Sequence, residues 1–85
     1  MLSVELNSGC WTRTDDVHGY GGVPYNFKTL DECLSACYDN SACAAIDWDP
    51  NNVGKSCWTQ TSTIVGPTME TGFISHYELS RIFLS

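Results

Sequence analysis

Apolar positions along this chain change their spacing partway, and the change defines two elements. Leu30, Cys33, Leu34 and Cys37 recur at three and four residues, which places them on one face of a helix. Thr29 and Glu32 stand three apart at its start, the spacing of a capping box. In that motif the hydroxyl accepts from an orphan N–H and the carboxylate reaches back to the cap. Asp31 and Glu32 also suit the positive end of the helix dipole. Asp39-Asn40-Ser41 is a stop-and-turn cluster that ends the pattern. From Cys43 the period becomes two: Ile46 and Trp48 alternate with Ala45 and Asp47, which predicts a half-buried strand.

The flanks carry weaker signals. Leu2, Val4 and Leu6 alternate and predict a first strand, which Cys10-Trp11-Thr12-Arg13-Thr14 continues after Ser8-Gly9. The phrase Cys-Trp-Thr-x-Thr returns at Cys57 and predicts a second strand in a similar environment, since Trp and Thr are good strand formers. Nothing else repeats, so no internal duplication is read. Residues 15–25 hold three glycines and a proline and predict the longest irregular segment. Phe27 precedes the cap and is expected to pack beside the helix start. Residues 62–72 read as part strand and part turn. Phe73, Ser75, Tyr77 and Leu79 share one face of a closing strand, which puts His76 on its exposed face. Residues 81–85 extend that strand or fray. The expected core is Leu30, Leu34, Ala45, Ile46, Trp48, Trp58, Phe73, Tyr77 and Leu79.

Cys33 and Cys37 point the same way from one helix, an awkward geometry for a bond between them. With Cys43 and Cys57 they allow three pairings. A strand running back along the helix from Cys43 sets that residue beside Cys37. The turn Pro50-Asn51-Asn52-Val53-Gly54 then reverses the chain and sets Cys57 beside Cys33. This layout predicts nested disulfides, Cys37–Cys43 inside Cys33–Cys57. A Cys-x3-Cys helix can also chelate zinc, but the tight Cys-x2-Cys knuckle is absent. We expect no metal and no cofactor.

Cys-x3-Cys on a helix, Cys43 with Ile46 and Trp48 on a strand, and Cys57-Trp58 on the next resemble the PAN/apple domain. The resemblance covers residues 30–59 closely and the flanks loosely. It implies an α+β fold in one domain, 1–85, with a single helix cradled by a curved antiparallel β-sheet and stapled by the same two disulfides. It further implies a non-catalytic extracellular recognition module that binds a protein or glycan ligand, as part of a larger adhesion or secreted protein.

Composition narrows the partners. Five cysteines in 85 residues point to an oxidising compartment, and a chain this short depends on such staples. Net charge is −6, and the four basic residues, Arg13, Lys28, Lys55 and Arg81, are scattered. Nucleic acid and heparin are therefore poor candidates as partners, and neither is expected. Some PAN domains bind heparin through basic clusters, and this chain departs from them. Met1-Leu2-Ser3-Val4-Glu5 has neither a basic n-region nor an apolar core, so a secreted domain without its signal peptide is expected. No stretch is long enough for a membrane-spanning helix.

Three groups of residues invite chemistry. Asp16, His18, Tyr20 and Tyr25, in the glycine-rich segment, combine rings that stack on sugar C–H patches with polar groups that hold hydroxyls; they form the expected ligand site. The alternative is a solvated loop whose tyrosines cover the sheet edge. Asp49 to Gly54 faintly resembles a calcium loop, but Val53 and Gln60 stand where an EF-hand needs carboxylate or amide ligands. A hairpin turn is the reading there. Cys10 has no partner in the nested scheme, and the six-cysteine pattern of many apple domains is incomplete. It is either a buried unpaired thiol or an intermolecular one that makes a homodimer.

Two rival functions remain. A free-standing secreted inhibitor or toxin-like scaffold would present one rigid exposed loop. A small hydrolase or redox protein would need an accessible low-pKa thiol, with His18 or His76 as base to Cys10, or a His pair in a cleft.

Overall fold

The computed structural model describes the backbone of residues 2–6, 9–68 and 72–80, and the side chains of 11–68 and 72–80. Its helix, α1, spans Leu30–Tyr38. The capping box is complete: Thr29 Oγ1 accepts from Glu32 N at 3.2 Å, and Thr29 N donates to Glu32 Oε1 at 3.1 Å. Two orphan donors are thereby satisfied at the point where the apolar face begins. Cys33, Leu34 and Cys37 are buried on that face, as the spacing predicts.

The strands are β1 (Leu2–Leu6), β2 (Gly9–Asp15), β3 (Val17–Gly19), β4 (Val23–Tyr25), β5 (Ala45–Trp48), β6 (Cys57–Gln60), β7 (Val65–Pro67) and β8 (Ser75–Ser80). Six form one sheet in the order β1-β2-β8-β5-β6-β4, and β3 with β7 forms a separate ribbon. All pairings are antiparallel.

Side chains alternate between sheet faces, and here each face has its own cover. On one face α1 packs over β5 and β6. The disulfides Cys33–Cys57 and Cys37–Cys43 lock it there, the nested pairing that the layout predicts. Trp11, Ile46 and Tyr77 complete this core, with Phe27, Leu30, Trp48 and Leu79 packed around it. On the other face β3 packs against β5 and β8. Asp49 closes the β5–β6 hairpin by accepting from Asn51 N on its side chain and from Asn52 N on its carbonyl. Gly54 completes the turn at φ 84°, which favours glycine.

Several expectations are corrected. The segment from Gly9 does not continue the first strand; it doubles back on it, with Leu6 opposite Gly9. The glycine-rich segment is not wholly irregular, since it contributes β3 and β4. Phe73 is not core: it is 49% exposed, because β8 begins only at Ser75 and Phe73 lies outside the paired register. His76 is not exposed but 2% accessible, because the β3–β7 ribbon covers the face that periodicity alone leaves to solvent. Trp11, absent from the expected core, is fully buried. Of Cys10 only the backbone is described, opposite Glu5 and Ser80 in β2; the state of its thiol lies outside the described residues.

Candidate functional site

The larger recess is a groove of about 450 Å³ at the helix N-terminal end of the sheet. Its position follows from the register. Arg13 and Asp15 on β2, Tyr77 and Ser75 on β8 and Trp48 on β5 alternate onto the same face as α1, beyond the end of the helix. Leu30, the first residue of α1, closes one wall, and the turn residues Pro50 and Asn51 close another. Gly72 and the exposed Phe73 form the rim opposite them.

A string of polar groups crosses the groove. Arg13 Nε donates to Asp15 Oδ1 at 2.8 Å, and Ser75 Oγ donates to the same oxygen at 2.8 Å. The Arg13 guanidinium also stands 5.9 Å over the Tyr77 ring, within cation–π range. These contacts have electrostatic consequences. The hydrogen bond from Arg13, then that from Ser75, holds the Asp15 carboxyl below the usual carboxylate range. Asp15 in turn raises Arg13 above its ordinary value. Burial pushes the Tyr77 phenol up. The groove thus presents a paired guanidinium and carboxylate beside Trp48 of β5 and the exposed Phe73 that precedes β8.

The expected site residues are distributed rather than assembled. Asp16 lines the groove, at φ 64°, and works mainly as a tie. Its carboxylate accepts from Gly72 N at 2.6 Å, its N donates to Ile74 O, and its carbonyl accepts from Thr68. His18 and Tyr20 are together, edge to face with ring centroids 5.0 Å apart, but on the β3 side. The Tyr20 ring lies across Gly66, where a Cβ would collide with its hydroxyl. Tyr25 is elsewhere again, on β4, stacked on Phe27 at 5.3 Å. Sequence reading missed Arg13, Asp15, Trp48 and Phe73 as a group. The only signal was the alternation Trp11-Arg13-Asp15 on one strand face, and it needed β8 and β5 as neighbours.

A second, smaller recess of about 240 Å³ lies on the opposite face, where His18, Gly19 and Gly22 approach Asp47, Trp58 and Gln60. Beneath it is a buried polar network. His76 Nδ1 donates to Asp47 Oδ1 at 2.7 Å, and Gly19 N donates to Asp47 Oδ2 at 2.8 Å. Both residues of the Asp–His pair are sealed from solvent.

Among the described residues no helix is long and apolar enough to cross a membrane. Comparison with known proteins identifies no relative: no family model, no curated protein and no solved structure matches this chain.

Proposed function

We propose that this domain is a non-catalytic extracellular recognition module of the PAN/apple kind, with its glycan ligand held in the Arg13–Phe73 groove. The observation that carries the reading is the groove's composition. Trp48 and Phe73 offer apolar ring surface, while Arg13, Asp15 and Asn51 offer donors and acceptors at its edge. Sugars present this combination in reverse, C–H patches flanked by hydroxyl pairs. The groove's cation and carboxylate already neutralise each other, and the chain carries net charge −6, so a neutral glycan is favoured over a sulfated one. Two disulfides suit an oxidising environment, which supports the extracellular reading. The capped helix, the nested bridges and the antiparallel sheet support the PAN/apple assignment.

A glycan array probed with the folded domain, its Phe73→Ala variant and its Tyr20→Ala variant tests this. Binding by wild type and Tyr20→Ala but not by Phe73→Ala is expected. Loss in Tyr20→Ala with retention in Phe73→Ala would move the site to the β3 side. No glycan bound, with a protein captured through Phe73, would make the ligand a protein.

The β5–β6 turn favours a second reading, a secreted inhibitor. Val53 is 96% exposed at the tip of a hydrogen-bonded turn, as a plugging loop requires. A protease or receptor panel inhibited by wild type but not by Val53→Ser would establish it.

A further inference from the structure

The ion pair in the groove leaves particular atoms free. Arg13 donates through Nε to Asp15 Oδ1, and Ser75 Oγ donates to that same oxygen. The two Nη nitrogens of Arg13 and the second oxygen of Asp15, Oδ2, bond to no described group. A charged donor with open N–H groups therefore stands beside a charged acceptor with an open oxygen. Both line the groove.

The guanidinium is also held in place before any ligand arrives. Asp15 fixes it at one edge, and its carbon lies 5.9 Å from the centroid of the Tyr77 ring beneath it. That ring is 4% exposed and belongs to the core, so the cation rests on a packed surface. Side-chain ordering that precedes binding is not charged against affinity when the ligand docks.

This arrangement selects among ligand groups. A carboxylate or sulfate drawn to Arg13 meets the repulsion of Asp15, and an ammonium drawn to Asp15 meets that of Arg13. A group that donates from one atom and accepts on the next satisfies both without a charge of its own. Two hydroxyls on adjacent carbons do this, and charge-assisted hydrogen bonds of this kind are stronger than neutral ones. We propose that the groove reads a vicinal diol on an uncharged pyranose ring, an inference that rests on the glycan reading of the groove. One hydroxyl donates to Asp15 Oδ2 and its neighbour accepts from Arg13 Nη, while the C–H face of the ring lies against Trp48 or Phe73. A sugar lacking either hydroxyl leaves one charged group covered and unpaired, which is where discrimination arises.

The test is an NMR titration of the folded, disulfide-intact domain with the methyl α-pyranosides of glucose, mannose and galactose. The parent sugar that binds tightest is then compared with its 2-deoxy, 3-deoxy and 4-deoxy isomers. All three isomers carry the same number of hydroxyls. The 2-deoxy and 4-deoxy rings each keep one vicinal diol, and the 3-deoxy ring keeps none. Saturable shifts are expected at Asp15, Ser75, Phe73 and the Arg13 side-chain N–H groups. The 3-deoxy isomer should bind about tenfold or more weaker than the parent, and at least one of the other two should bind nearly as well as the parent. Asp15→Ala, at a largely exposed position, should lose the preference for that isomer over the 3-deoxy sugar. Should this variant fail to fold, the ranking of isomers by wild type decides alone. Groove shifts with all three isomers equal, or an equal response to acetamide, would overturn the diol while leaving the glycan reading in place. No groove shift with any parent sugar would overturn both.

Discussion

Replacing Asp47 with Ala removes the acceptor shared by a buried donor, on His76, and a part-buried one, on Gly19. His76 Nδ1 and Gly19 N each lose a bond of 2.7–2.8 Å to a carboxylate. A buried donor left unsatisfied costs about 1–3 kcal/mol, and bonds to charged acceptors lie at the upper end. The His76 donor is the more costly, because its ring is 2% exposed and no water replaces the lost acceptor without opening the sheet face. Two such losses sum to about 3–5 kcal/mol, less relaxation of the partly buried β3 segment. Native stability at this chain length is roughly 4–13 kcal/mol, so the variant should sit near the limit of folding. At about 4–8 °C per kcal/mol, the thermal midpoint should fall by more than 10 °C. Asp47→Asn, which keeps one acceptor, should lose less. Adding His76→Phe to Asp47→Ala should recover part of the loss, since the orphan ring donor is gone, and the double-mutant cycle measures the coupling. Urea denaturation with disulfides intact gives the free energies. Hydrogen exchange at the Gly19 amide reports locally, because that N–H anchors β3 to the sheet. A loss below about 0.5 kcal/mol for Asp47→Ala, with Gly19 exchange unchanged, would refute the reasoning.

Other expectations follow from the same contacts. On the loop-closure model the Cys33–Cys57 bridge, separation 24, contributes about 3 kcal/mol and Cys37–Cys43, separation 6, about 2 kcal/mol. Calorimetry of Cys33→Ala/Cys57→Ala against Cys37→Ala/Cys43→Ala should rank them so, and the reverse order would reject the model here. Asp15, whose folded carboxyl titrates below its unfolded value, adds stability that is present above about pH 4 and is lost as pH falls through the folded value. The pair is largely solvent-exposed, so the amount is only about 0.5 kcal/mol or less, read as the acid-limb difference between wild type and Arg13→Gln in unfolding curves. Gly66→Ala drives a methyl into Tyr20 and should cost about 1–3 kcal/mol, with much of it relieved in the double variant with Tyr20→Ala. Simple additivity of the two in thermal melts would show that the ring does not lie over Gly66.

The elements whose cause is local were legible in the amino-acid order. Thr29 and Glu32 cap the helix through bonds three residues apart, so four consecutive residues contain the whole reason for its start. The apolar face of α1, the strand from Ala45 and the turn at Asp49–Gly54 rest on similarly short-range periodicity. The disulfide pairing was legible because it needed only the helix and the hairpin that follows it. Tertiary structure alone decided the rest. A period of two shows that a strand has two faces but not what covers them. Asp47 and His76 read as solvent-facing until β3, far away in sequence, closes over them. Phe73 reads as core because alternation does not reveal where strand pairing begins. The groove draws Arg13, Trp48 and Ser75 from three strands that become neighbours only through the order β2-β8-β5. Strand order is a long-range choice, made by which packed sheet buries the most apolar surface with its backbone bonds satisfied, and no window of residues contains it.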